Sequence, residues 1–200
     1  MARYGKSRVA PFILIFIIIA IAIAAIIALA RAIFIDDGSQ PTSTTDISRE
    51  ALLSTTNDRK VRMTVRGPIV ADETFYSYRI EITPSSRNLV TYNGYLERQL
   101  DAVNLTNNIP AYDEFVHALD KANLAKGTQL EDSQDDTRGI CATGRLYDFA
   151  IISGDSVIKR LWTSTCKGSP GSLDASVGQL SNLFIEQIPN GSEIINKIDL

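Results

Sequence analysis

The longest hydrophobic pattern in the chain is an unbroken run of Phe, Ile, Leu and Ala from Phe12 to Ala30. At about 1.5 Å of rise per residue, a helix of this length spans about 28 Å, close to the hydrocarbon core of a bilayer. Backbone groups in lipid must be paired within their own segment, so the run is predicted to be helical. Because Ala32–Ile35 extend it, we expect residues 12–35 to anchor the chain in the lipid bilayer.

The charges on either side of this run predict its orientation. Basic residues precede it and acidic residues follow it, namely Arg3, Lys6, Arg8, Asp36 and Asp37. The positive-inside rule then places the N-terminus in the cytoplasm and residues 36–200 outside the cell membrane. The alternative is a cleaved signal peptide, for which Ala28-Leu29-Ala30 is a small-residue cleavage site, but the apolar run is longer than signal peptides need.

Small residues recur on one face of the predicted anchor, because Ala20, Ala24 and Ala28 lie four positions apart. Such spacing lets two membrane helices approach closely and predicts a homodimer. An Ile- and Ala-rich segment also produces this spacing by chance, so a monomeric anchor stays as the alternative.

The segment after the anchor is rich in Ser and Thr, which predicts a flexible linker over residues 36–59 with a short helix at Ile47–Leu53. A folded extracytoplasmic domain is expected over residues 60–200. Within it, apolar and polar residues alternate at 61–65 and 76–82, which is typical of strands.

Further elements follow in the order strand, helix, hairpin, helix. A third strand is predicted at 88–92, before the turn dipeptide Asn93-Gly94, whereas 95–105 is ambiguous between helix and irregular structure. Apolar residues at helical spacing predict amphipathic helices at 110–126 and 172–187, separated by an acidic loop and a long hairpin. This order indicates an α+β fold, an antiparallel sheet with two amphipathic helices packed on it.

The balance of charge changes the expected partners. Residues 36–200 carry 16 basic residues against 23 acidic ones, a net charge of −7, although the whole chain has a net charge of −3. Nucleic-acid binding needs a basic surface that neutralises phosphates, so we expect no nucleic-acid partner.

The two cysteines, Cys141 and Cys166, both lie on the predicted outer side, where disulfides persist. Folding the chain between Ser153 and Gly154 sets these cysteines directly opposite each other across a hairpin, which predicts a disulfide. The same register pairs Leu146 with Leu161, Phe149 with Ile158 and Asp148 with Lys159, and places Arg145 against Trp162 and Tyr147 against Arg160.

Two groups of residues are candidate cation ligands. Asp113, His117 and Asp120 share the polar face of the first predicted helix, a spacing that suits a divalent metal but lacks a second His or a free Cys. Carboxylates at Glu131, Asp132, Asp135 and Asp136 suit calcium but do not match an EF-hand loop. A solvated surface is the favoured interpretation of both groups, and no cofactor is expected.

The segment Leu161-Trp-Thr-Ser-Thr-Cys166 ends a Thr-rich strand at a cysteine, behind an N-terminal anchor. In this it resembles sortases, membrane-anchored cysteine transpeptidases. The resemblance implies Cys166 as nucleophile and His117 as its histidine. Sortases also use a downstream Arg, and no Arg follows Cys166 in this chain.

The sequence contains no phosphate-binding loop and no nucleophile–base pair beyond the sortase-like one. Aromatic residues offer stacking surfaces for sugars, and Asn104 and Asn190 begin glycosylation sequons. The sequence therefore favours a non-enzymatic envelope protein that binds a protein or cell-wall partner, with the sortase-like transpeptidase as the alternative.

Overall fold

The computed structural model describes residues 47–131, 133–169 and 171–200, and over these residues the protein has an α+β fold. The predicted anchor at 12–35, including Ala20, Ala24 and Ala28, lies outside them. None of the helices in the described ranges is long and apolar enough to cross a membrane. In chain order the elements are α1 (Ile47–Leu53), β1 (Arg59–Arg66), a 3-10 helix (Asp72–Thr74), β2 (Tyr76–Ile82), β3 (Ser86–Asn93), β4 (Arg98–Thr106), α2 (Ile109–Lys121), β5 (Leu146–Ser153), β6 (Ser156–Ser164), α3 (Val177–Ile185) and α4 (Gly191–Ile195).

The six strands form one antiparallel sheet in the order β4-β3-β2-β1-β5-β6. Strand alternation sorts its side chains into two faces: Val61, Met63 and Val65 of β1 are buried, and the residues between them are half-buried. The apolar face packs against the helices in a single core that includes Leu119 of α2 and Phe184 of α3. The predicted α+β architecture is therefore present.

Helix α1 belongs to this core. Leu52 is fully buried and Ala51 nearly so, and both join the cluster formed by the sheet and the other helices. The helix occupies the predicted range, but the expectation that order begins near residue 60 is wrong for this segment. An amphipathic turn that buries two apolar side chains is held by packing, which composition alone does not reveal.

The range 95–105, which the sequence left ambiguous, contains strand β4. It follows a turn at residues 94–97 and pairs with β3 along its length, with a register shift between Thr91 and Tyr92. β4 is an edge strand and all nine of its residues are exposed or half-buried. Without a fully buried face, the strand lacks the alternation that identifies strands in a sequence.

Helix α2 begins where its capping residues predict. Asn108 accepts a hydrogen bond from the Ala111 amide (3.0 Å), and Pro110 occupies the first turn, where its missing N–H costs nothing. The helix ends at Lys121, earlier than predicted, because Asn123 adopts a left-handed conformation (φ 62°). The second predicted helix is likewise shorter than 172–187, as α3 covers only Val177–Ile185.

The hairpin β5–β6 exists, but its predicted register is wrong. Its turn is Gly154-Asp155, and the register of the strand pairing shifts by one residue between Ile151 and Ile152. Phe149 therefore pairs with Leu161 rather than Ile158. The other observed pairs are Leu146 with Ser164, Tyr147 with Thr163, Asp148 with Trp162 and Ile151 with Lys159, so neither predicted arginine–aromatic contact lies at a paired position. The turn lies one residue later than predicted, which shifts every pair by two positions, and a bulge adds one more unpaired residue that a symmetric fold of the sequence cannot anticipate.

Candidate functional site

Cys141 and Cys166 are joined by a disulfide, with 5.3 Å between their Cα atoms. The bond lies beyond the paired strands rather than within the ladder, because Cys141 precedes β5 and Cys166 follows β6. It closes the open end of the hairpin against Gly144, where an added Cβ would lie 2.9 Å from the Cys141 sulfur. The Cys166 sulfur is therefore bonded, whereas a cysteine nucleophile reacts as a free thiolate.

The candidate metal residues on α2 have protein partners. Both carboxylate oxygens of Asp120 accept hydrogen bonds from Arg49 at 2.8 Å. His117 is half exposed and its Nδ1 lies 2.9 Å from the carbonyl oxygen of Asp113. The Arg49 hydrogen bonds hold the pKa of Asp120 below its ordinary value. Within the described ranges, no three His, Cys, Asp or Glu residues are arranged to hold a metal ion.

The acidic loop is tied to arginines rather than arranged around a cation site. Asp135 and Asp148 both accept hydrogen bonds from Arg160, at 2.8 Å and 2.6 Å. Asp136 binds Arg138, and these hydrogen bonds lower the pKa of Asp136 to about 2. Glu131 is exposed, and Asp132 lies outside the described residues.

A cleft that sequence reasoning missed opens between the sheet and the two C-terminal helices. Its floor consists of Tyr78, Val65 and Tyr147, which are direct partners on the adjacent strands β2, β1 and β5. Alternation on three neighbouring strands thus places one phenol ring on each side of Val65. The cleft encloses about 300 Å³.

Helices α3 and α4 form the walls of this cleft. Its wall residues on α3 follow one helical face, and those on and directly after α4 are two polar residues and an isoleucine. They are Val177, Gly178, Ser181, Asn182 and Ile185 on α3, Ser192 and Ile195 on α4, and Asn196, which directly follows α4. Because Gly178 has no side chain and an added Cβ there would meet nothing within 4 Å, the cleft stays open at this position.

A buried hydroxyl without a partner lines the cleft. Ser181 is 8% exposed, and its Oγ has no hydrogen-bond partner in the part of the chain that the structure describes. An unpaired buried hydroxyl typically costs about 1–3 kcal/mol, so most buried polar groups are paired. The Ser181 hydroxyl is therefore the group in this cleft that a ligand would satisfy.

Arg145 closes one end of the cleft. Its side chain is exposed and donates two hydrogen bonds, of 3.2 Å and 2.8 Å, to the carbonyl oxygen of Leu200, while its backbone N–H donates to Thr165. On the floor, burial raises the pKa of Tyr78 well above its ordinary value, so this phenol stays protonated and able to donate a hydrogen bond. The cleft thus combines an apolar lining with hydroxyl groups and one cation.

The sequence offered little signal for this arrangement. Tyr78 and Ser181 are far apart in the chain, and each occurs in a pattern that a plain core strand or helix also shows. Trp162, one of the aromatic residues considered for sugar stacking, is buried at 5% exposure, and Tyr78 and Tyr112 are buried as well. The chain matches no known protein-family model and no curated protein.

Proposed function

We propose that the protein is a non-enzymatic binding module of the cell envelope, held at the membrane by residues 12–35 with residues 36–200 outside. The observation that carries the proposal is the Tyr78–Ser181 cleft with its unpaired buried hydroxyl. Ligand pockets of this kind combine apolar walls with a few polar groups that fix orientation.

The size of the cleft indicates what it holds. About 300 Å³ is at the lower end of the range for small-molecule pockets, so it suits one side group of a larger partner. A protein or a cell-wall polymer outside the membrane would supply such a group. Ser181 and Tyr78 would fix its polar end, and Val65 and Ile195 would cover its apolar part.

Photo-crosslinking tests occupancy of the cleft directly. A photoreactive residue at Asn182, an exposed position of the wall, should give a discrete adduct in intact cells, whereas one at Gln179, on the same helix outside the cleft, should not. Gly178→Leu should abolish the adduct by filling the cleft, and Gln179→Leu is its matched control. Equal adducts from both positions, or an adduct unaffected by Gly178→Leu, would contradict the proposal.

The membrane anchor and the non-enzymatic role have their own tests. Protease added to intact cells should digest residues 36–200, and the protein should resist extraction by carbonate. A mature N-terminus near Arg31 would instead indicate a cleaved signal peptide. A sortase-like transpeptidase requires a free thiol at Cys166, so thiol alkylation of protein from its native compartment separates the two functions.

A further inference from the structure

The face of the sheet opposite the helices carries a cluster of arginines. Arg62, Thr64 and Arg66 occupy alternate positions of β1 on this face, and Thr64 pairs with Arg79 on β2. On the neighbouring strand β5, Thr64 pairs with Asp148. A cavity of about 340 Å³ is lined by these residues together with Arg160, Thr137 and Leu146.

Most charges in and around this cavity are paired. Arg160 forms ion pairs with Asp148 and Asp135, and Arg79 forms one with Glu97 at 3.1 Å. Two further carboxylates beside the remaining arginines are also engaged. Glu81, the cross-strand neighbour of Arg62, pairs with Lys60, and Asp136 pairs with Arg138.

Two arginines form no ion pair, although the carboxylate of Asp148, which Arg160 holds, acts on both electrostatically. Among the described residues, no carboxylate lies at ion-pair distance from Arg62 or Arg66. Arg66 donates from Nη2 to the backbone carbonyl oxygens of Thr137 and Ile140, which carry no net charge. Arg62 is half-buried and donates no hydrogen bond to the described part of the chain.

This excess of positive charge is unusual for the domain. Residues 36–200 have a net charge of −7, whereas four arginines and one aspartate line this cavity. Arg79 adds a further unused donor, since its Nε is buried without a partner in the described structure. Half-buried guanidinium groups lose part of their hydration, and an anion that accepts their hydrogen bonds replaces it.

We propose that this cavity is an oxyanion site that binds a phosphate group between Arg62 and Arg66, above Thr64. Guanidinium donors match the oxygens of a phosphate in pairs, and the Thr64 hydroxyl supplies a third donor. A phosphate group offers more acceptor oxygens than a carboxylate, which suits a cavity lined by several arginines. The site is on the opposite face of the sheet from the Tyr78–Ser181 cleft, so the two proposals fail independently.

The test uses the full-length chain in a maltoside detergent, which contains no phosphate. Inorganic phosphate and dimethyl phosphate are titrated separately while the backbone amide resonances of β1 are followed by NMR. The first probe represents a free or terminal phosphate and the second a phosphodiester of a polymer or lipid. Saturable shifts at Thr64 with either probe are expected, and the tighter probe identifies the source of the phosphate.

Variants assign the binding to the arginines. Arg62→Gln should weaken phosphate binding about tenfold or more, because it removes charge-assisted hydrogen bonds without disturbing any hydrogen bond of the fold. Arg66→Lys keeps the charge but loses the paired donors and should weaken binding less. Lys121→Gln removes an exposed positive charge on α2, away from the cavity, so it is the control and should bind like the unmodified protein.

Several results would overturn the site. They are the absence of saturable shifts with both probes, an unchanged affinity in Arg62→Gln, and an equal loss of affinity in Lys121→Gln. Acetate that binds as tightly as phosphate would overturn the assignment to phosphate.

Discussion

Removal of the Cys141–Cys166 disulfide should destabilise the domain by an amount that follows from the loop it closes. The two residues are 25 positions apart, and the chain-entropy model gives about 3.5 kcal/mol for a loop of this length. For a domain of this size, each 1 kcal/mol shifts the melting temperature by roughly 2–4 °C. We therefore expect the reduced protein to melt about 7–14 °C below the oxidised one.

The assay compares four samples of the chain in detergent by urea unfolding and by thermal unfolding, both followed by circular dichroism. The free energies of unfolding of the oxidised and reduced forms of the unmodified chain should differ by about 3.5 kcal/mol. The double variant Cys141→Ala with Cys166→Ala should match the reduced form and be insensitive to reductant. Alanine is preferred to serine, because Cys141 is buried and a serine hydroxyl there would add the cost of an unpaired polar group.

Two results would refute this reasoning. A difference below about 1 kcal/mol between oxidised and reduced forms would show that the loop is already constrained in the unfolded chain. Two alkylatable thiols in protein taken from its native compartment would show that the bond does not form there.

Three further predictions concern packing and pH. Leu52→Ala should lower the free energy of unfolding by about 2–5 kcal/mol in urea titrations, because the side chain is fully buried in the core. A loss under about 1 kcal/mol would show that α1 does not contribute to the core. Gly144→Ala should destabilise the protein, since its Cβ would lie 2.3 Å from the Thr165 hydroxyl, whereas Gly178→Ala, in open space on α3, should stabilise it by about 0.5–1 kcal/mol; similar melting temperatures for the two variants would contradict this contrast. Burial raises the pKa of Tyr78 and Tyr112 above their ordinary value of 10.0, so the folded state keeps protons that the unfolded state releases. Stability should therefore fall as pH rises through about 10, by up to about 1.4 kcal/mol per pH unit for each tyrosine, and replacement of both by Phe should flatten the fall; an unchanged slope would contradict it.

The parts of the fold that the sequence predicts are those in which local pattern and burial agree. Strand β2 has the predicted bounds, because its alternating residues line the buried face of a central strand. The edge strand β4 lacks such a face and was left ambiguous. The hairpin was recognised from its flanking apolar runs, but its turn lies one residue later than predicted, which shifts every pair by two positions, and a bulge shifts the pairs beyond it by one more.

The candidate sites were harder to predict because they depend on contacts between distant segments. Asp120 fits a metal-binding pattern on its helix, but Arg49, 71 positions earlier, occupies its carboxylate. Tyr78 and Ser181 meet in one cleft only because β2 and α3 are brought together by the sheet order. No local pattern contains that information.

The burial of α1 in the core sets how far the domain extends from the membrane under the proposed anchoring. A linker over 36–59 would have 24 residues and, fully extended, a length of about 80 Å. With α1 held in the core from Ile47, only the 11 residues of 36–46 are left to bridge the distance, at most about 40 Å. Under this anchoring, the shorter tether would raise the effective concentration of the domain for any partner within its reach.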